Sequence, residues 1–356
     1  MDEIKRVCIN RIATAVPEHD VHQAFVSYAE KMLADRHVRA LFMRMAGKAE
    51  IEHRFSPMYA NGTKHLNGTS AYDVYRSGEF PSTAERMKLF ERFAPKLATK
   101  ALDNLALSSK ERDRIRHVIV TCCTGLYAPG LDFAAIDYLG LPHSTERTMI
   151  GFMGCYAAIN GLKQARHIVR SEPGESVLLL NLELCTIHLQ ETQDLNEVLS
   201  FLIFGDGCAA SLISSEGEGL EIDGFRATQI EGTRELITWR VGDGGFDMVL
   251  SGQVPREIAQ AMRAQAGKFT EAGPVDMWAV HPGGRTVLDA VQKGLALRAE
   301  ALWASRKVLS EFGNMSSATV MFVLKELMKS ARSGQRGCAM SFGPGLTAET
   351  MRFHAI

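Results

Sequence analysis

The period of the hydrophobic pattern changes along the chain. Apolar residues recur at helical spacing from Ala24 to Met45, and again from Ser82 to Leu107. The stretch 61–78 between them is polar and rich in Gly, Ser and Thr, which predicts an excursion within one unit rather than a boundary. Beyond it, short apolar runs alternate with helical ones. Arg116–Cys123, Arg147–Met153 and Ser176–Cys185 predict strands, with helices over Leu131–Leu139 and Gly154–Val169. Leu202–Ile213 predicts a strand hairpin broken at Gly205-Asp206-Gly207. The theme then repeats: a strand over Val275–Val280, a helix opened by His281-Pro282-Gly283-Gly284 and running through Leu295, and helices over Ala299–Phe312 and Ser316–Ser330. Strands over Gly337–Phe342 and Ala348–Phe353 follow. Such alternation predicts an α/β protein with a mostly parallel sheet covered by helices. Two strand–turn–helix units, with Cys155 and His281 at equivalent turns, predict two similar halves.

Composition narrows the class. The 356 residues are 46% hydrophobic and 23% charged, and they carry a formal net charge of -1. That balance argues against bulk nucleic-acid binding. No run is long and apolar enough for a membrane span, and Met1–Arg6 lacks the build of a signal peptide. The seven cysteines are odd in number and form no CxxC pair. A disulfide framework or a metal site is therefore not expected, and a reduced cytoplasm is.

Three residues suggest chemistry. Cys155 sits between an apolar strand and the first turn of a predicted helix, where free N–H groups and the helix dipole favour a thiolate. Small neighbours, Gly154 and Ala157, leave room for an acyl group. A buried structural cysteine is the plainer alternative. His281 ends a strand before a glycine turn, a place that suits catalysis and helix capping equally. Asn314, before Met315-Ser316-Ser317, fits ordinary turn and cap chemistry when taken alone. Together the three suit one task. A thiolate takes an acyl group from a thioester, while histidine and asparagine N–H donors stabilise an enolate as a β-carboxylate leaves as carbon dioxide. This chemistry needs no metal and no organic cofactor.

Five motifs then carry a resemblance that spans nearly the whole chain: Gly154-Cys155-Tyr156-Ala157, Phe204-Gly205-Asp206-Gly207-Cys208-Ala209-Ala210, His281-Pro282-Gly283-Gly284, Gly313-Asn314-Met315-Ser316-Ser317-Ala318 and Phe342-Gly343-Pro344-Gly345-Leu346-Thr347. They resemble the type III polyketide synthases, the chalcone and stilbene synthase family. In the last motif, Ser341 stands where the family usually has a leading glycine. The resemblance implies a thiolase-like fold of two duplicated halves, 1–215 with the nucleophilic cysteine and 216–356 with the histidine and asparagine, in five αβαβα layers. It implies iterative decarboxylative condensation of malonyl-CoA onto an acyl-CoA starter, followed by cyclisation, in a homodimer with no cofactor.

The resemblance also implies roles around the site. Phe204 matches a gatekeeper between CoA tunnel and cavity. The resemblance is to bacterial-type members: Met248 falls where a second gatekeeper phenylalanine is expected, with Phe246 two residues earlier, a departure from the plant pattern. Cys123, Ala128 and Cys185 match cavity positions. The family often has methionine at the position of Ala128, reaching across the dimer. Lys48, Arg54 and Arg285 are candidates for CoA phosphates, and Gly343, Pro344 and Gly345 match the C-terminal loop near the cyclisation chamber. These small or flexible linings favour a medium or long aliphatic acyl starter, giving an alkylpyrone, alkylresorcinol or acylphloroglucinol; a small cavity that takes only malonyl or acetyl units is the alternative that cysteine linings also fit. Two rivals were weighed. A ketoacyl-acyl carrier protein synthase III-like enzyme would have Gly-Asn-Thr-Ser instead of Gly-Asn-Met-Ser, and an inactive thiolase-fold binding protein would have no need of all three site residues.

Overall fold

The computed structural model describes residues 6–58, 78, 80–270 and 273–356. Along the chain these form β1 (Cys8–Ala15), β2 (His19–Asp20), α1 (His22–Met32), α2 (Arg36–Ala46), β3 (Phe55–Ser56), α3 (Thr83–Leu105) and α4 (Ser109–Arg114). Next come β4 (Ile115–Cys122), α5 (Leu131–Leu139), β5 (Glu146–Gly151), α6 (Ala157–Ser171), β6 (Ser176–Leu184), α7 (Leu195–Ile203) and β7 (Asp206–Ser214). The rest is β8 (Leu220–Gln229), β9 (Ile237–Gly242), β10 (Gly245–Leu250), α8 (Val254–Thr270), β11 (Met277–Val280), α9 (Arg285–Gly294), α10 (Trp303–Phe312), α11 (Thr319–Met328), β12 (Arg336–Gly343) and β13 (Thr347–Ala355).

Nine strands join in the order β11-β12-β13-β8-β1-β7-β6-β4-β5. The junction between β8 and β1 is two residues deep, Cys8 opposite Glu221 and Ile9 opposite Leu220. On one side, β5, β4 and β6 run parallel while β7 and β1 are antiparallel. On the other, β11 and β12 run parallel while β13 and β8 are antiparallel. Laid over one another, β4 matches β11, β6 matches β12, β7 matches β13 and β1 matches β8. The nine consecutive buried residues of β6 supply both faces of their sheet. Leu178, Leu180, Leu182 and Leu184 pack on α3 and α5, while Val177 and Leu179 face α6 and α11. Trp278, Val280, Met340 and Phe342 pack outward on α8 and α9. Alternation across each strand thus builds the five expected layers, with α6 and α11 forming the central one.

This topology corrects four readings. The sheet is not mostly parallel: five of its eight strand pairings are antiparallel, because a hydrophobic period marks a strand without giving its direction. The run Ala24–Met45 is two helices, because Leu33 is extended and the Asp35 carboxylate caps a new start, accepting the N–H groups of His37 and Val38 at 2.7 and 2.9 Å. Leu202–Ile213 is not a hairpin: Leu202 and Ile203 end α7, whose Asp194 cap lies far upstream, and Gly205 turns the chain into β7. Nor do Cys155 and His281 occupy equivalent turns. His281 follows β11, so its counterpart is the Cys123–Thr124 turn after β4. β5 has no paired counterpart strand in the second half, where Asn314 forms an isolated bridge to Phe204, so the counterpart of Cys155 is the turn at Ser316. A repeating strand–turn–helix pattern does not say which crossover is which. The polar stretch 61–78 lies, but for Gly78, outside the described residues.

Candidate active site

Cys155 lies in a single 3-10 turn, Gly154–Tyr156, that feeds α6. The approach is strained, with Phe152 at φ +54° and Gly154 at φ +74°. Only glycine fits the second position, since a Cβ there would stand 2.3 Å from Pro344 Cδ. A Cβ on Gly343 would likewise meet the Tyr156 ring at 2.8 Å, and Tyr156 Oη donates to the Pro344 carbonyl at 3.3 Å. The Gly343-Pro344-Gly345 loop therefore packs directly on the Cys155 turn. Cys155 Sγ lies 3.8 Å from Ser316 Oγ. Burial pushes the Cys155 thiol up to about 12; hydrogen bonds from Ser316 and Asn314 oppose this, and the charge of Glu183 adds to it. Desolvation thus outweighs the helix start that was expected to favour a thiolate.

His281 leaves β11 with its N–H on the Met340 carbonyl at 2.8 Å. Its ring is buried, and neither nitrogen has a hydrogen-bond partner among the described residues. Burial pushes its pKa down to about 3, so the imidazole is neutral. Asn314 is fixed more tightly. Its Oδ1 accepts the Ser316 N–H at 2.8 Å and the Thr319 hydroxyl at 3.4 Å, while its Nδ2 makes a long contact, 3.5 Å to the Gly283 carbonyl, and also faces the Cys155 sulfur. A backbone N–H can only donate, so the amide orientation is settled and an Nδ2 hydrogen points to the Cys155 side of the cavity, where a ligand oxygen would compete with the sulfur for it.

Cys155, His281 and Asn314 line one cavity with Phe204, Met248 and Phe342. Cys155, Phe204, Met248 and Ile237 also line a second, mainly apolar pocket that holds Phe25, Cys123, Cys185 and Trp239. Phe204 and Met248 therefore stand together where the two spaces meet. Phe246 does not: it is buried, stacked on His188 with ring centroids 4.2 Å apart. On the outer side, Gly283, Leu250, Val254 and Val287 are shared with an open cleft that Lys48 and Arg285 border. Lys48 is exposed, with no ion pair among the described residues, and Arg285 pairs with Asp289 at 3.2 Å.

Arg54 does not join them. It is 2% exposed and turned inward, bonded to backbone carbonyls of Phe201 and Phe204 and to His22, so it is no solvated cation at the mouth. Ala128 is exposed and outside the pocket of its own chain. Cys123 and Cys185 do line the apolar pocket; Cys123 Sγ accepts the Gly154 N–H at 3.0 Å.

Several residues of the site escaped the sequence reading. Glu183, wholly buried in β6, accepts from the Cys123 N–H at 2.9 Å, Thr124 Oγ1 at 2.8 Å and Ser317 Oγ at 2.5 Å. Its pKa is raised by burial, and those bonds restrain the rise. A lone acid in an apolar strand run was the available signal. Trp239 donates from Nε1 to the Cys123 carbonyl at 2.8 Å. His188 accepts the Phe246 N–H on Nδ1 at 3.3 Å, so its Nε2 donates to the Thr124 carbonyl at 2.7 Å. Asp206, buried at the start of β7, accepts from the Thr186 N–H at 2.8 Å and its hydroxyl at 2.5 Å, and burial pushes its carboxyl up to about 7.

Comparison with known proteins follows the same outline. Residues 5–217 match the N-terminal domain of chalcone and stilbene synthases, and residues 222–356 match their C-terminal domain. The chain is 31% identical to the alpha-pyrone synthesis polyketide synthase-like Pks18 of Mycobacterium tuberculosis, over 98% of this chain and 91% of that protein. It is 30% identical to bisdemethoxycurcumin synthase of Oryza sativa subsp. japonica, over 97% and 91%. The structure superimposes on PKS-I of the brown alga Ectocarpus siliculosus with a TM-score of 0.90 and 30% identity, over all of both chains. It superimposes on 1,3,6,8-tetrahydroxynaphthalene synthase of Streptomyces coelicolor A3(2), a bacterial type III polyketide synthase, with a TM-score of 0.84 and 26% identity, over 98% and 99%.

Proposed function

This chain belongs to the chalcone and stilbene synthase family, the type III polyketide synthases, and from that premise we propose that it extends an aliphatic acyl-CoA starter with malonyl-CoA on Cys155 and releases a cyclised product. It is a condensing acyltransferase of the thiolase fold. The observation that carries the reading is a row of three neighbouring spaces that share lining residues: a cation-bordered cleft, the cavity of Cys155, His281 and Asn314, and an apolar pocket beyond Phe204 and Met248.

In this reading Cys155 sulfur attacks the starter thioester. A carbon–sulfur bond forms, the bond to CoA sulfur breaks, and the thiol proton passes by way of His281 to the departing CoA. Malonyl-CoA then enters by the cleft, its phosphates beside Lys48 and Arg285. Its carboxylate leaves as carbon dioxide, and the bonding pair becomes an enolate whose oxygen lies between the His281 and Asn314 N–H donors. A neutral imidazole suits that role, since one ring nitrogen still carries its proton. The enolate carbon attacks the acyl-Cys155 carbonyl, and Cys155 sulfur leaves. The N–H donors carry the developing charge, so no cofactor has a part in the scheme. After further rounds the Gly343-Pro344-Gly345 loop borders the cyclising chain.

Pks18 is named for alpha-pyrone synthesis, and the pocket beyond the gate is largely apolar, with Phe25, Ile237 and Phe201. Each methylene buried there gains about 0.8 kcal/mol. A medium or long aliphatic starter is therefore preferred, with an alkylpyrone, alkylresorcinol or acylphloroglucinol as product. Trp239 and His188, backed by the buried Phe246, narrow the same pocket and favour a second reading, in which acetyl or malonyl units alone are taken. A chain-length series of acyl-CoAs with malonyl-CoA, read by mass spectrometry, decides between them. Specificity constants should rise from acetyl- through octanoyl- to longer acyl-CoA, and a flat or falling series would favour the small-starter reading. Cys155→Ala tests the nucleophile: polyketide formation should vanish while some malonyl-CoA decarboxylation persists.

A cytoplasmic homodimer completes the proposal. β5 is the free edge of the sheet, and Leu126, Phe133, Met149 and Met153 are exposed along or beside it. Ala128, exposed in the same region, would then face the partner. Light scattering should give twice the chain mass at micromolar concentration.

A further inference from the structure

Arg54 is among the largest fully buried side chains of the molecule, and its hydrogen bonds converge on the gate. α7 ends immediately before Phe204, and the last-turn carbonyls of a helix lack intrahelical partners. Arg54 Nη1 donates to one such carbonyl, that of Phe201 at 2.8 Å, and to the carbonyl of Phe204 just beyond the helix. Its Nε donates to His22 Nδ1 at 3.0 Å, and its guanidinium lies 4.9 Å from the centre of the Phe25 ring. His22 is in turn buried, and burial with the adjacent guanidinium pushes its pKa down to about 4, which keeps Nδ1 an acceptor. Across the gate, the Gly205 N–H donates to the Asn314 carbonyl at 2.9 Å and the Asn314 N–H to the Ile203 carbonyl at 2.8 Å. The Arg54 stem also fills the space beside Gly313, where a Cβ would meet its Cγ at 2.8 Å.

We propose that Arg54 is a positioning residue, a clamp that holds the Phe204 gate and the Asn314 donor in one register. It touches neither reacting atom; it acts through the end of α7, which is bonded to Arg54 on one side and to Asn314 on the other. A lysine keeps the charge, but its single ammonium cannot satisfy two carbonyls and an imidazole in a fixed fork. The chemical part of the proposal rests on Asn314 serving as the enolate donor; the structural part does not.

The test uses the full chain with Arg54→Lys, and with His22→Leu if that variant does not fold. Amide hydrogen exchange is followed at Gly205 and Asn314, with β6 as internal reference. Malonyl-CoA decarboxylation is measured per Cys155 titrated by iodoacetamide. Exchange at both amides should quicken at least tenfold with β6 unchanged, and decarboxylation per titrated site should fall at least tenfold. Unchanged exchange at both amides overturns the clamp, whatever the activity. A raised KM for CoA thioesters without faster exchange also overturns it and restores Arg54 as a CoA ligand. A wild-type enzyme without decarboxylase activity would sink the proposed function, yet the exchange result would still decide the clamp.

Discussion

The Oδ1 of Asn314 accepts the backbone N–H of Ser316 at 2.8 Å, and this one bond decides which end of the amide faces Cys155 and His281. With Oδ1 engaged, Nδ2 is the group presented to the cavity. Asn314→Asp keeps the shape and the bond to Ser316 but replaces the donor by an anion beside a developing negative charge. Malonyl-CoA decarboxylation should fall by roughly 10²–10³-fold, the cost of one lost oxyanion donor. Asn314→Ala should do similar damage, and a stopped assay of labelled carbon dioxide release reads both. Full activity in Asn314→Asp would show that another group holds the enolate.

His281 and Cys155 are each neutral at rest, the thiol pushed up to about 12 and the imidazole down to about 3. A thiolate then forms within the site most readily by passing its proton to the imidazole, which changes no net charge. Iodoacetamide alkylation of Cys155 should therefore be faster between pH 7 and 9 in the wild type than in His281→Ala. In the variant the rate should climb only as pH nears the raised thiol value. Superimposable pH–rate profiles would mean that His281 has no part in activating the thiol.

Gly154 combines φ +74° with Pro344 Cδ 2.3 Å from where a Cβ would be. Gly154→Ala pays about 1–2 kcal/mol for the left-handed backbone alone. The contact with Pro344 adds to it, because the C-terminal loop must move off the Cys155 turn. A lower melting temperature and slower acyl loading are expected together. A variant that melts and loads like the wild type would show that the loop is not seated against this turn in solution.

Asp206 has its folded-state pKa raised from 3.8 to about 7 by burial. The folded state thus prefers the protonated carboxyl. Its contribution to stability is fully present below about pH 4 and is lost as pH rises through 7. Asp206→Asn cannot ionise, and its carbonyl oxygen can still accept the Thr186 N–H. The melting temperature of Asp206→Asn minus that of the wild type should therefore increase from pH 5 to pH 8. A difference that stays constant across that range would mean the carboxyl is ionised throughout in the folded protein.

Turn chemistry and strand burial leave local marks, and these were legible. The motifs around Cys155, Phe204, His281 and Asn314 stand at turns whose glycines are required by left-handed backbone, as at Gly154 and Gly313, or by close approach, as at Gly205 and Gly343. The run Ser176–Leu184 announced a strand buried on both faces. The break between α1 and α2 was missed because Asp35 is one capping residue inside an otherwise periodic stretch, and the hairpin at Leu202 was misread because α7 offers few turns in which to show its period.

The sequence by itself determined the layered α/β class and the family, and it singled out three residues that line one cavity, because each rests on residue types at fixed local spacing. The tertiary structure decided which turns correspond between the halves, that Arg54 faces inward, that Met248 and not Phe246 lines the cavities with Phe204, and that Glu183 holds the Cys123–Thr124 turn to Ser317. Each of those depends on pairing between distant segments, such as Cys8 with Glu221 or Phe204 with Asn314. A buried charge and an exposed one have the same letter in a sequence, and only the neighbours brought in by the fold fix whether its bonds are made to water or to backbone.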